Sequence, residues 1–120
     1  MHKTERLTKT KDFTSVRCCG RSWSNRSLVL IVRPNNRDVS RFGFSVSKRV
    51  GVAVERNKIK RRLRAIANST QVGSGWDLVL IARKYANSSD YANLRNSMTS
   101  LLKISGVLKD TLPEVRSSTE

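Results

Sequence analysis

The sequence predicts one α/β (α+β) domain, a two-layer sandwich in which helices cover one mainly antiparallel sheet. Residues 40–47 alternate between apolar and small or polar residues, which is typical of a half-buried strand, and residues 27–33 form a mostly apolar strand. Residues 77–83 are almost continuously apolar, as in a strand covered on both faces. Residues 52–68 and 91–104 repeat apolar positions every three or four residues, which is typical of amphipathic helices. With one further helix near the N-terminus, the predicted order is helix, strands, helix, strand, helix.

The N-terminal segment is predicted to contain an arm and a helix. Residues 1–8 are basic and include no apolar signal region, so a mobile basic arm is expected. A helix is predicted from about 8 to 18, because Gly20 follows as a helix-ending residue. Phe13 and Arg17 are four positions apart and therefore share one side of this helix.

The next two strands are predicted to pair as an antiparallel hairpin, because residues 34–39 have turn chemistry. In 27–33, the face with Val29 and Ile31 lies opposite the face with three other apolar residues, Leu28, Leu30 and Val32. In 40–47, one face is suited to a core, with Phe42, Phe44 and Val46. The other face is small and polar, with Gly43, Ser45 and Ser47, and suits a surface that a ligand approaches closely.

The C-terminal part is predicted to end the domain with one more helix. Ser89 or Asp90 is expected to cap it, and its buried stripe is Leu94, Met98, Leu101 and Leu102. Residues 113–120 are expected to form a disordered tail. No repeat or linker divides the chain, so residues 1–112 are interpreted as a single domain.

The charge of the chain indicates a polyanionic partner. Lysine and arginine total 24 against 9 aspartate and glutamate residues, which gives a net charge of +15. Such an excess predicts salt-sensitive binding to nucleic acid, although a membrane surface could also attract it. No apolar run approaches the roughly 20 residues that cross a bilayer. We therefore expect a cytoplasmic protein with no membrane partner.

The helix predicted over 52–68 carries the densest charge. Its apolar stripe is formed by Val52, Ile59, Leu63, Ile66 and Ala67. Beside the stripe lies a set of cations and one amide that we call the basic arc, comprising Arg56, Asn57, Lys60, Arg61 and Arg64. A solvated helix face usually mixes both signs of charge, but residues 56–68 contain no acid. The pattern therefore favours a nucleic-acid face over a solvated face.

This segment also carries a resemblance to a known family. The run AVERNKIKRRLR, residues 53–64, resembles the arginine-asparagine-arginine signature of the bacterial ribonuclease P protein subunit. The runs GFSVSKRVG, RLTKTKDF and LVLIARK also resemble that family, in the same order along the chain. Together they cover about residues 6–102. The resemblance implies a fold similar to domain two of a small-subunit ribosomal protein, with a left-handed βαβ crossover around the basic helix.

The resemblance also implies a function. In this family a large RNA subunit hydrolyses precursor transfer RNA with Mg²⁺ ions that the RNA binds. The small basic protein binds that RNA and the 5′ leader of the substrate, and it improves metal and substrate affinity. Removal of the leader gives the mature 5′ end. By this resemblance the basic arc faces the catalytic RNA, and the partners are ribonuclease P RNA and precursor transfer RNA, with no DNA.

The residues themselves indicate a binding protein without catalytic residues of its own. Phosphodiester cleavage usually needs paired carboxylates with metal ions or a histidine acid and base. The nine acids are scattered singly along the chain, and its one histidine is His2. We therefore expect no catalytic residue and no metal site in the protein alone, which would be the non-catalytic subunit of an endoribonuclease.

The leader is expected to bind a cleft between the sheet and the first helix. The predicted cleft residues are Phe13, Arg17, Val29, Ile31, Ser45, Ser47, Lys48, Arg49 and Arg83. Phe13 could stack a base, although it could equally be buried under the sheet. The family often has aromatic residues at the positions of Arg17 and Ile31. Arg17 can still stack through its guanidinium, whereas Ile31 offers only apolar contact.

Two other functions compete with this interpretation. The first is a ribosomal-type structural RNA-binding protein without a processing role, which the family motifs disfavour. The second is a DNA-binding helix-turn-helix module with 52–68 as its recognition helix. It is disfavoured because the element before that helix is predicted to be a strand.

Overall fold

A computed structural model describes residues 4–7, 9–88 and 90–108, which form a five-stranded sheet and its helices. The elements in chain order are β1 (Thr4–Arg6), α1 (Thr10–Cys19), β2 (Arg21–Ser24), β3 (Leu28–Pro34), β4 (Ser40–Ser45), α2 (Ala53–Ser69), β5 (Trp76–Ala82), a 3-10 helix (Lys84–Ser88) and α3 (Tyr91–Ser105). The mixed α+β class is confirmed.

The strand order of the sheet is β1-β4-β5-β3-β2. Strands β1, β4 and β5 are parallel, whereas β3 is antiparallel to both β5 and β2. The predicted hairpin of β3 with β4 is therefore wrong, because β5 lies between them. The most apolar strand takes the central position, where both its edges are paired and both its faces are covered. The sheet is mixed rather than mainly antiparallel.

The helices cover both faces of the sheet, so the domain has three layers instead of the predicted two. The larger core lies between the sheet and the pair α2 and α3, and it includes Leu30, Leu63 and Leu101. A smaller core lies under α1, where Val16 packs with Ile31 and other buried residues. The sequence pattern identified the two faces of β3 and β4 correctly. The predicted cleft also placed α1 beside the face of Val29 and Ile31, and the structure shows that α1 covers part of this face.

Strand β1 falls within the segment predicted to be a mobile arm. Thr4–Arg6 pairs in parallel with β4, and the Leu7 N–H donates to the carbonyl oxygen of Phe42 at 2.8 Å. Leu7 is buried in the smaller core. The arm prediction is thus wrong for these residues, while residues 1–3 and 8 lie outside the described part. The predicted tail at 113–120 also lies outside it, as do residues 109–112.

The three predicted helices are confirmed within two residues at each end. Asp90 caps α3, since its Oδ1 accepts a hydrogen bond from the Asn93 N–H at 2.9 Å. Val52 differs from its predicted place in the apolar stripe. It precedes the first turn of α2 and is 67% exposed. Helix α2 connects the parallel neighbours β4 and β5, so the βαβ crossover is present, and its left hand stays a prediction.

Candidate nucleic-acid interface

The basic arc lies on α2, next to the buried stripe that holds this helix on the sheet. Ile59, Leu63 and Ile66 are each at most 2% exposed, which fixes the rotation of the helix. Asn57 and Arg61 of the arc are exposed, whereas Arg56, Lys60 and Arg64 are partly buried. The structure thus brings the five predicted arc residues onto one helix beside its packed face. It keeps the side-chain stems of three of them against the protein.

Two arginines of the arc have donors without an acceptor. The Nε atoms of Arg56 and Arg64 are shielded from solvent and have no hydrogen-bond partner among the described residues. A buried N–H that lacks a partner costs free energy, which an incoming acceptor recovers. Guanidinium groups match the geometry of phosphate oxygens, so these donors favour a phosphate ligand.

The single acid of α2 acts at its N-terminus. Glu55 Oε1 accepts a hydrogen bond from the Val52 N–H at 3.2 Å, and a carboxylate at this end is favoured by the helix dipole. The rest of the helix, from Arg56 onward, carries only positive or neutral side chains. No carboxylate of α2 therefore follows the start of the arc.

The predicted leader cleft lies on the opposite face of the sheet, beside α1. A Cβ atom at Gly43 would lie 2.6 Å from Phe13 Cζ, so the Phe13 ring rests directly on the backbone of β4. The Phe13 side chain remains partly exposed. Gly43 thus admits the ring of Phe13, whereas the sequence suggested that it admits the ligand.

Helix α1 covers one row of cross-strand neighbours and leaves the next row partly open. The covered row is Gly43, Val79 and Ile31. The open row is Ser45, Ile81 and Val29, all partly exposed. Because Phe13, Val29 and Ile81 all pack against the same small core, they belong to one apolar surface, which has a polar end at Ser45.

Two residues of this cleft differ from the sequence prediction. Ile31 is only 8% exposed and belongs to the covered row, so it packs under α1 and does not offer the predicted contact to a ligand. Ile81 was not predicted, because residues 77–83 were interpreted as covered on both faces. Alternate residues of a strand share a face, so Val79 and Ile81 lie on the same side of β5. This alternation could have identified Ile81 as a cleft residue.

The predicted cations of the cleft gather at one end of the sheet. Lys48 and Arg49 follow β4, and Arg83 follows β5, which runs parallel to β4, so all three lie at the same end. All three are exposed. Arg83 Nη1 donates to the carbonyl oxygen of Asn25 at 3.1 Å, which holds this guanidinium beside the start of β3.

The remaining predicted cleft residues also lie near this surface. Ser47 is exposed after β4, and its Oγ accepts a hydrogen bond from the Arg49 N–H at 3.3 Å, which shapes the turn. Arg17 is exposed on α1, one turn beyond Phe13. The structure therefore leaves eight of the nine predicted residues partly or fully exposed, on α1, β3 and β4 or just after β4 and β5, and buries Ile31.

Neither surface has the ligands of a metal site. Histidine, cysteine, aspartate and glutamate form no group of three that could hold a metal ion within residues 4–7, 9–88 and 90–108. In the same part of the chain, no helix is both long and apolar enough to cross a membrane. Both surfaces instead present guanidinium, ammonium, amide, hydroxyl and aromatic groups, which are the groups that contact RNA.

Comparison with known proteins identifies the family. The family model described as Ribonuclease P matches residues 1–106. The chain belongs to the ribonuclease P protein family. It is 43% identical to the ribonuclease P protein component of Clostridium kluyveri over 108 residues, covering 87% of this chain and 96% of the relative. It is 38% identical to the component of Dehalococcoides mccartyi, covering 92% of each chain.

Solved structures of the ribonuclease P protein family agree with this fold. The Staphylococcus aureus protein matches with a TM-score of 0.80 and 35% identity, over 89% of this chain and all of that chain. The Thermotoga maritima protein matches with a TM-score of 0.76 and 34% identity, over 83% and 96%. The chain is thus a ribonuclease P protein component, a subunit of an endoribonuclease. The ribosomal-type alternative is not favoured.

Proposed function

We propose that this chain binds the RNA subunit of ribonuclease P through the basic arc and the 5′ leader of precursor transfer RNA through the cleft beside α1. Binding at both surfaces would assist Mg²⁺-dependent removal of the leader. The observation that carries the proposal is the placement of two separate cation-bearing surfaces on opposite faces of one sheet. One protein can then contact the catalytic RNA and its substrate at the same time.

The chemistry of the arc suits a structured RNA. Arginines can donate two hydrogen bonds to a phosphate, and Asn57 offers both a donor and an acceptor for a phosphate oxygen or a 2′-hydroxyl. The Nε atoms of Arg56 and Arg64 are shielded from solvent and lack an acceptor among the described residues. A phosphate oxygen would supply that acceptor.

The chemistry of the cleft suits a single strand. Bases can stack on the exposed part of Phe13 and contact Val29 and Ile81, while phosphates meet the cations at the end of β4 and β5. The hydroxyl of Ser45 can reach a base edge or a sugar. Because the contacts are mainly stacking and charge, we expect binding to tolerate many leader sequences.

The hydrolysis is assigned to the RNA subunit. Mg²⁺ prefers carboxylate and phosphate oxygens, and the protein residues at both surfaces do not fit that preference. In this proposal the ions are therefore bound by the RNA, and the protein holds and orients the two RNA chains. The proposal includes a cytoplasmic location, where precursor transfer RNA is processed.

A cleavage assay tests the proposal. Bacterial ribonuclease P RNA is incubated with precursor transfer RNA at a low Mg²⁺ concentration, with and without the RNA-free protein. We expect the protein to restore cleavage at the mature 5′ end and to cleave nothing by itself with any divalent metal. Arg61→Ala should weaken this stimulation, and Arg95→Ala, an exposed arginine on α3, serves as the charge-matched control. Site-specific cleavage by the RNA-free protein, or no stimulation at all, would contradict the proposal.

A further inference from the structure

A groove separates α2 from the edge of the sheet formed by β1 and β4. Its volume is about 390 Å³, within the range of about 300–1,000 Å³ that is common for ligand pockets. The groove is lined by Glu5, Arg6, Phe42, Phe44, Arg64, Ala67 and Asn68. It lies on the α2 face of the sheet, so it is separate from the leader cleft on the α1 face.

The wall of the groove that belongs to β4 is aromatic. The rings of Phe42 and Phe44 are nearly parallel, at an interplanar angle of 3° with centroids 6.0 Å apart. Phe42 is only 2% exposed, whereas Phe44 packs at the margin of the core and remains partly exposed. Phe44 is therefore the ring that a planar ligand can reach, and such a ligand would extend an existing stack.

The wall that belongs to α2 continues the basic arc. Arg56, Lys60, Arg64 and Asn68 follow one another at intervals of four residues, so they form one row along the helix. The last two members of this row line the groove. Arg64 also carries one of the two enclosed Nε donors that lack a partner among the described residues. Arg6 adds a second guanidinium from β1.

We propose that this groove binds one unpaired nucleotide of the catalytic RNA, an inference that rests on the proposed function of the arc. The base stacks against Phe44, and its phosphate meets Arg64 and Arg6. Asn68 supplies a donor and an acceptor for the edge of the base. An aromatic wall, two cations and an amide in a space of this size match a base and its phosphate better than a duplex.

The position of the groove beside the basic arc favours the catalytic RNA, and not the leader, as the source of this nucleotide. An RNA that follows the arc along α2 reaches Arg64 and then Asn68 without leaving the helix face. A leader in the cleft lies on the other side of the sheet. The arc would thus supply the affinity of many phosphates, and the groove would fix the register of the RNA on the helix through one base.

Binding of the full chain to ribonuclease P RNA across a salt series tests the proposal. Loss of one stacked base predicts that Phe44→Leu lowers the affinity by about 5- to 150-fold. The salt slope should stay unchanged, because the lost contact carries no charge. Phe44→Tyr, which keeps the ring, should restore the affinity. Arg61→Ala, in the arc but outside the groove, should instead lower the salt slope by about one unit.

A second measurement locates the base. A pool of ribonuclease P RNA molecules, each with one nucleotide lacking its base, is separated into bound and free fractions. With the wild-type protein, we expect the bound fraction to be depleted of RNA molecules that lack a base at one or two unpaired positions. With Phe44→Leu, these molecules should bind as well as the others. Asn68→Ala should also reduce this depletion. Because Asn68 is exposed, this variant replaces Phe44→Leu in the test if Phe44→Leu does not fold.

The two measurements distinguish the groove inference from the proposed function of the arc. The groove inference is contradicted if Phe44→Leu binds with wild-type affinity and the same missing bases still reduce its binding. Asn68→Ala is judged in the same way if Phe44→Leu does not fold. RNA binding by the basic arc is still supported in that case if Arg61→Ala lowers the salt slope. If the wild-type protein does not bind ribonuclease P RNA at all, the proposed function fails and the groove inference fails with it.

Discussion

Arg41 of β4 holds Asp77 of β5 through two hydrogen bonds, with Nε 2.8 Å from Oδ1 and Nη2 2.6 Å from Oδ2. Asn35 donates a third bond to Oδ1 at 2.9 Å. Arg41 Nη1 also lies 3.4 Å from Oδ2 of Asp12, which belongs to α1. This network ties α1, β4 and β5 together where the two parallel strands begin. The exposed cations of the cleft lie where the same strands end.

The Asp77 network predicts a loss of stability in acid. Burial raises the pKa of Asp77, but the hydrogen bonds from Arg41 and Asn35 outweigh it, so this pKa lies below the ordinary value of 3.8. The ionised pair therefore contributes its full stability above about pH 3.8, and this contribution is lost as the pH falls through the lower folded value. We expect Asp77→Asn to reduce the free energy of unfolding at pH 7 by about 1.5–3 kcal/mol.

Urea unfolding at pH 7 and at stepwise lower pH measures this effect. The difference between the wild type and Asp77→Asn should shrink below pH 3.8. Asp12→Asn is the control, since that carboxylate is more exposed and its contact with Arg41 is longer, so it should cost less than about 1 kcal/mol. A difference that stays constant over the whole pH range would refute the assignment.

Phe13→Ala should weaken the binding of precursor transfer RNA that carries a leader. The partly exposed ring is the aromatic group of the cleft, and stacking of one base on it is worth about 1–3 kcal/mol. Mature transfer RNA should bind as before, measured with the same holoenzyme. Phe13→Leu keeps an apolar side chain over Gly43 but has no aromatic ring. If stacking matters, Phe13→Leu should also bind the leader-bearing RNA more weakly. Equal losses for both RNAs would assign Phe13 to the core alone.

Arg56→Ala and Arg61→Ala should each weaken binding to ribonuclease P RNA and lower the salt slope by about one unit. Thermal unfolding should change little. Arg61 is exposed, and the enclosed Nε of Arg56 makes no hydrogen bond with the described residues that could be lost. Arg95→Ala removes the same charge from α3, which contributes no predicted residue to either surface, and should leave the slope unchanged. Wild-type slopes in both arc variants would make the arc a solvated face.

Gly20→Ala should destabilise the fold by about 1–3 kcal/mol through overpacking. A Cβ atom there would lie 2.6 Å from the Val16 carbonyl oxygen and 2.7 Å from Ile31 Cγ2, so α1 could not end so close to β3. Gly73→Ala is the matched control, because its added Cβ would have no neighbour closer than 3.7 Å. Urea midpoints compare the two variants. Similar urea midpoints for the two variants would contradict this prediction, because they would show that the end of α1 can move to admit the Cβ atom with no loss of folding free energy.

Local patterns predicted the helices, the two faces of β3 and β4, and the composition of the arc. Each depends on residues that are close in sequence. The order of the strands could not be predicted in this way, because the pairing of β4 with β5 joins residues separated by the whole of α2. Strand β1 was missed because three residues held by backbone hydrogen bonds leave no side-chain pattern. The groove depends on β1 and was therefore also missed.

The predicted cleft shows the same limit at the level of single residues. Alternation put Val29 and Ile31 on one face, and that assignment is confirmed. Alternation alone could not show that α1 crosses the sheet over Ile31 and leaves Val29 partly open. The path of α1 depends on Gly20 and Gly43, whose lack of a side chain permits its close approach to β3 and β4.

The alternation of β4 also has a consequence for how this segment can vary during evolution. Phe42, Phe44 and Val46 contribute to the larger core, whereas Gly43 and Ser45 face α1 and the cleft. Packing therefore limits Phe42, Gly43 and Phe44, while Ser45 meets the leader under the proposed function. Under that proposal, we expect substitutions that adapt the protein to a different leader to arise mainly outside β4, in α1 or at the ends of the strands.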